Sequence, residues 1–110
     1  MVTKGMSTLI KKTVKEQIRE SHIIVFSKSY CSCCTETKQL LEGRGMEYTA
    51  VEIDQHVYGT ALQDALQAIS GQRTVPNIFI GGKHFGGNDD LQSAATSGLL
   101  EHKTGALNRI

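Results

Sequence analysis

The chain has 110 residues, of which 39% are hydrophobic and 21% charged, and its 12 basic and 11 acidic side chains leave a net charge of +1. That length fits one domain built on one core, residues 1–110, and the composition is that of a soluble globular protein. A near-balanced charge argues against nucleic acid or an acidic surface as the main partner, and no apolar run approaches the roughly 20 residues that cross a bilayer, so no membrane role is expected.

Residues 1–6 lack the apolar core of a signal peptide, which reads as an intracellular, cytoplasmic protein, and this stretch is expected to be loose. From residue 7 to 20, Ile10, Val14 and Ile18 recur every four positions beside Leu9, the spacing of an amphipathic helix, with Ser7 as its N-cap. The unbroken run Ile23-Ile24-Val25-Phe26 then predicts a strand over 23–27 buried on both faces. The next stretch, Ser27-Lys28-Ser29-Tyr30-Cys31-Ser32-Cys33-Cys34, holds all three cysteines and leads into a helix over 35–42. Leu40 and Leu41 of that helix face the core, and Gly43 and Gly45 stop it.

Residues 48–54 alternate, with Thr49, Val51 and Ile53 on one side, and predict a second strand. A helix separates it from the first, so the two should run parallel with a right-handed crossover. Residues 58–70 carry Tyr58, Ala61, Leu62, Ala65, Leu66 and Ile69 at helical spacing, with Gly71 where a left-handed terminal residue is expected. Residues 77–80 and 83–85 flank Gly81-Gly82 as the strands of a tight hairpin. Asn88 reads as the N-cap of a helix to about Ser97, with Asp89 and Asp90 in its first turn, and Gly98 separates a last helix over 99–107 that carries Leu99, Leu100 and Leu107. The order α-β-α-β-α-β-β-α-α predicts one α/β domain: a mixed four-stranded sheet with helices on both faces.

The cysteines carry the chemistry. Three within four residues cannot form a disulfide framework, and in a reducing compartment such clustering points to redox chemistry or metal. A strand that runs into Cys-x-x-Cys and opens a helix places Cys31 at the helix N-terminus, where unpaired N–H groups favour the thiolate that attacks disulfides. Lys28 adds a cation three residues earlier, and Cys34, one helical turn on, brings its sulfur within reach of Cys31. Zinc would need about four ligands, whereas His22, His56, His84 and His102 are scattered and there is no second Cys-x-x-Cys.

Three motifs in order, Ser-Lys-Ser-Tyr-Cys-x-x-Cys at 27–34, Gly-Gln-Arg-Thr-Val-Pro-Asn at 71–77 and Gly-Gly-Asn-Asp-Asp-Leu at 86–91, are similar to those of the glutaredoxins of the thioredoxin-like superfamily. The likeness runs from about residue 13 to 107, is nearest in flavour to the dithiol glutaredoxins of fungi, and departs from thioredoxin in having Tyr30 rather than Trp before Cys31. It implies a thioredoxin-like fold and a glutathione-dependent oxidoreductase with Cys31 as nucleophile and Cys34 as a more buried resolving thiol. It implies that Pro76 is cis, that Thr74, Val75 and Pro76 lie along glutathione, and that Asn88 and Asp89 take its γ-glutamyl end. Lys28 and Gln72, with Arg73, would hold the glycine carboxylate, and Tyr30 would flank the ligand. Glutathionylated or disulfide-containing proteins are the implied partners.

The middle pair, Ser32-Cys33, departs from the Cys-Pro-Tyr-Cys usual in dithiol members. The Pro that stiffens the first helical turn and the Tyr that walls the ligand are both missing. Ser after the first cysteine also occurs in relatives that hold a [2Fe–2S] cluster between two protomers, with Cys31 and glutathione as the ligands that the likeness implies here. The expectation is a monomer unless such a cluster is bound. Cys33 reads as an accessory thiol, because pairing it with either neighbour would require strained geometry.

Overall fold

A computed structural model describes residues 3–105. Five helices, a short 3-10 turn and four strands follow in the expected order: α1 (Lys4–Glu20), β1 (Ile23–Ser27), α2 (Ser32–Gly43), β2 (Thr49–Glu52), the 3-10 turn Ile53–Gln55, α3 (Gly59–Ser70), β3 (Asn77–Ile80), β4 (Lys83–Gly86), α4 (Asn88–Ser97) and α5 (Leu99–Thr104). The sheet order is β2-β1-β3-β4; β1 and β2 are parallel, and β1–β3 and β3–β4 antiparallel.

Alternation along β1 divides the core. Ile23 and Val25 face one layer with Leu41 of α2, Leu91, Ala94 and Ala95 of α4 and Leu100 of α5. Ile24 and Phe26 face the other, with Val14 and Ile18 of α1, Ala65 and Leu66 of α3, and Phe79. Phe26 and Phe79 meet edge to face, ring centroids 5.8 Å apart, the arrangement their opposed quadrupoles favour. Both faces of β1 are covered, which explains its unbroken apolar run.

The structure corrects several boundaries. Residues 4–6 are helical rather than loose, because the Thr3 side chain accepts the Met6 N–H and caps α1 four positions ahead of Ser7; residues 1–2 lie outside the described residues. Strand β2 stops at Glu52, two residues early. The chain turns there as the Asp54 carboxylate accepts hydrogen bonds from the Ser29 N–H (2.9 Å) and hydroxyl. Gly87, not Asn88, is the N-cap of α4: the Asp90 carboxylate accepts the Gly87 N–H at 3.0 Å, and the Asn88 side chain is drawn inward. Helix α5 ends at Thr104 on Gly105 (φ 75°), short of the expected end, and Leu107 lies outside the described residues. The Gly81-Gly82 turn is as expected, both with positive φ, which a two-residue hairpin of this hand requires.

Candidate active site

The cysteine loop leaves the end of β1, and the loop before β3 runs beside it, so two neighbouring central strands deliver both. Cys31 is the N-cap of α2: its sulfur accepts the Cys34 N–H at 3.4 Å and lies 4.0 Å from the Val75 carbonyl oxygen. Its own N–H donates to the Lys28 carbonyl, closing the turn that precedes the helix. An acceptor position at a helix N-terminus suits a negatively charged sulfur. The Val75–Pro76 bond is cis, as the motif implied.

The three thiols occupy different surroundings. Cys31 is partly exposed, Cys33 exposed and Cys34 buried, at 0% exposure. Burial pushes the Cys34 thiol up to about 12, the nearby Cys31 adds to the rise, and a hydrogen bond from the Lys28 backbone and the Lys38 ammonium oppose it. Lys38 lies one turn beyond Cys34 on α2. Its ammonium is 2.7 Å from Glu52 Oε2, which also accepts the Ser27 hydroxyl at 2.6 Å, while Glu52 Oε1 is buried without a partner among the described residues. Burial works against the charge on Lys38, but the hydrogen bond and charge of Glu52 outweigh it and hold the group above its usual range. Asp54 is held below the usual carboxylate range by the two hydrogen bonds from Ser29.

A groove of about 320 Å³ opens beside the cis-proline loop, lined by Cys33 on one wall, Thr74, Val75 and Pro76 along its length, and Asn88, Asp89 and Asp90 at the start of α4. The first-turn N–H groups of that helix have no intrahelical partners. Lys28 and Tyr30 do not share this groove. They line a second, shallow one of about 280 Å³ with Asp54, Val57, Gly59 and Gln63, and Tyr30 is 76% exposed.

The polar residues expected at the site divide into free and occupied groups. Gln72 lines the groove, but its amide donates to the Thr74 and Pro76 carbonyls, both at 3.0 Å, so it braces the cis-proline loop. Arg73 pairs with Asp64 at 2.6 Å and with Gln67 on α3. Asn88 is 8% exposed, and its side chain binds Thr37, Glu36 and Gln92, leaving its backbone N–H as its contribution to the groove. Asp89 is exposed on the groove wall. Gln63, which lines the groove with Lys28 and whose amide donates to the Arg73 carbonyl at 3.4 Å, escaped the sequence reading: it sits on the flank of an amphipathic helix with no local spacing to mark it.

Known proteins with this arrangement agree on its family. The glutaredoxin family model matches residues 23–85, from the first strand through the hairpin. The chain is a member of the glutaredoxin family. A glutaredoxin of Ricinus communis is 46% identical over 86 residues, 78% of this chain and 84% of the relative. Glutaredoxin-1 of the fungus Rhizophagus irregularis is 41% identical over 98 residues, 89% of this chain and 97% of that one. The crystal structure of a buckwheat glutaredoxin–glutathione complex superposes with a TM-score of 0.90 at 36% identity, covering 98% of each chain. Glutaredoxins are thiol–disulfide oxidoreductases of thioredoxin-like fold, and this glutaredoxin has the mixed four-stranded sheet, the Cys-x-x-Cys at a helix N-terminus and the cis-proline loop beside it.

Proposed function

We propose that this glutaredoxin reduces glutathione mixed disulfides and protein disulfides through Cys31, with glutathione as cosubstrate. The observation that carries this reading is the Cys31 sulfur at the α2 N-terminus, partly exposed, with the Val75 carbonyl beside it and Cys34 buried one turn behind. In the monothiol route the Cys31 thiolate attacks the glutathionyl sulfur of a mixed disulfide. The S–S bond breaks, the substrate thiolate leaves and Cys31 becomes glutathionylated. A glutathione thiolate then attacks the same glutathionyl sulfur, releasing Cys31 and glutathione disulfide. In the dithiol route Cys31 forms a mixed disulfide with a protein, and Cys34, losing its proton, attacks the Cys31 sulfur and expels the protein thiolate. The Lys38 ammonium, held by Glu52, favours negative charge on the Cys34 sulfur in that step.

The buckwheat relative's complex with glutathione supports the choice of cosubstrate. Glutathione would lie along Val75 in the manner of an added strand, past Thr74 and Pro76. The N–H groups of Asn88 and Asp89 would take its γ-glutamyl carboxylate, and the Asp89 side chain its ammonium. Lys28, with Gln63 on the same groove, would take the glycine carboxylate, and Tyr30 would flank it. This chemistry suits a reducing compartment, and we place the protein in the cytoplasm.

A [2Fe–2S] reading would draw on this chain for Cys31 alone: no group of three or more His, Cys, Asp or Glu side chains among the described residues is arranged to hold a metal. The remaining ligands would come from glutathione and a second copy of the chain. Glutathione-coupled reduction of a small mixed disulfide tests the oxidoreductase reading. Cys31→Ser is expected to fall to background and Cys34→Ser to keep most of the wild-type rate. An active Cys31→Ser protein would overturn the reading.

A further inference from the structure

The groove has two walls on different helices, α2 with the cysteines and α4 with its free N–H groups, and something must hold them at a fixed separation. Thr37 lies one turn beyond Cys33 on α2, on the same helix face, so it sits beneath the wall that Cys33 lines. Its side chain is fully buried, and its hydroxyl donates to Asn88 Oδ1 at 2.9 Å. The Asn88 amide donates in turn to Glu36 Oε2 at 2.9 Å, back on α2, and its oxygen also accepts from Gln92 at 3.2 Å. Asn88 is the first residue of α4. The two residues that open the groove's far wall and underlie its near wall are therefore joined directly, at its floor.

We propose that Thr37 is a positioning residue: through Asn88, and with Glu36 as the return bond, it sets the gap between α2 and the α4 N-terminus and so the affinity of the groove for the glutathionyl part of the substrate. The proposal rests on the glutathione reading above. The Thr37 hydroxyl bonds Asn88 and not a cysteine sulfur, and the residue does not line the groove, so its effect passes through where Asn88 and Asp89 place their N–H groups. An isosteric Thr37→Val keeps the packing and removes the donor, leaving Asn88 Oδ1 with Gln92 alone. A buried hydrogen bond of this kind contributes about 0.5–1.5 kcal/mol to the fold, and the share that reaches the ligand through the displaced Asn88 is at most roughly a two- to tenfold change in affinity.

The test is steady-state kinetics on a glutathione mixed disulfide, run beside the rate at which iodoacetamide alkylates Cys31, resolved by peptide mass. Thr37→Val should raise KM about two- to tenfold with kcat and the Cys31 alkylation rate unchanged, and Thr37→Ser, which restores the hydroxyl, should return KM to the wild-type value. Glu36→Ala, at an exposed position where folding is not at stake, should raise KM in the same direction. Unchanged KM in both Thr37→Val and Glu36→Ala overturns the proposal. So does a Thr37→Ser protein as impaired as Thr37→Val, or alkylation that slows in step with turnover, which would place the effect at the nucleophile. A wild type with no saturable glutathione-dependent turnover overturns the glutathione reading and the clamp together; a normal wild type beside unaffected variants overturns the clamp alone.

Discussion

Cys31 and Cys34 share one helical turn and differ in what surrounds their sulfurs. One stands at the mouth of a helix and is partly exposed, while the other is sealed beneath it with its thiol pushed up to about 12 by burial. In the folded protein at pH 8, iodoacetamide should therefore label Cys31 and Cys33 and spare Cys34, which peptide mass mapping checks directly. The same shift carries a stability consequence. An unfolded cysteine gives up its proton near pH 9, whereas the folded chain retains it to about 12, so the native state binds the extra proton and stability falls as pH rises across that window. Cys34→Ala removes this contribution, and its Tm should decline less steeply between pH 9 and 11 than that of the wild type. Spacing alone made this pair legible in the sequence, because the partners lie within one turn. Thr37 and Asn88 were not legible as partners: they are 51 residues apart, and each looks locally like an ordinary helix residue or cap.

At the scale of elements, apolar periodicity, glycines and capping residues together found the five α-helices and four strands, and the misjudged features were ends, among them the 3-10 turn Ile53–Gln55 read as the close of β2. An end depends on one or two hydrogen bonds, and those come from residues that the local pattern does not single out. Thr3 outcompeted Ser7, Asp90 capped Gly87 from within α4, and Ser29 turned the chain after β2 from across the cysteine loop. Gly59, the first residue of α3, shows how tightly α3 is packed against the 3-10 turn that follows β2: a Cβ there would come within 2.7 Å of the Ile53 carbonyl oxygen, a backbone atom that cannot swing aside. Gly59→Ala should cost about 1–3 kcal/mol, read as a lower urea midpoint with an unchanged slope. Because Gly59 lines the same shallow groove as Lys28, the variant should also lose affinity for glutathione. Gln72 is a second lesson at this scale. The resemblance to glutaredoxins marked it for a ligand, and its amide instead braces the loop it belongs to.

At the scale of the whole molecule, the mixed sheet, its parallel β1–β2 pair and its two helical layers were all readable from element order and connection type. What the order could not convey was which loops meet. That follows from the sheet order, in which β1 lies between β2 and β3. Phe26, one residue before the end of β1, is in register with Asn77, the residue after the cis-proline. The cysteine loop and the proline loop are thus suspended from one rung of the ladder, directly above the Phe26–Phe79 contact in the core. Regions of low local stability in proteins are those with few buried contacts behind them, and this site has the centre of the sheet behind it. On slow heating, activity and near-ultraviolet circular dichroism should disappear over one and the same temperature interval. Enzymes whose reacting groups ride on independent loops fade before they melt; here the chemistry has no melting temperature of its own.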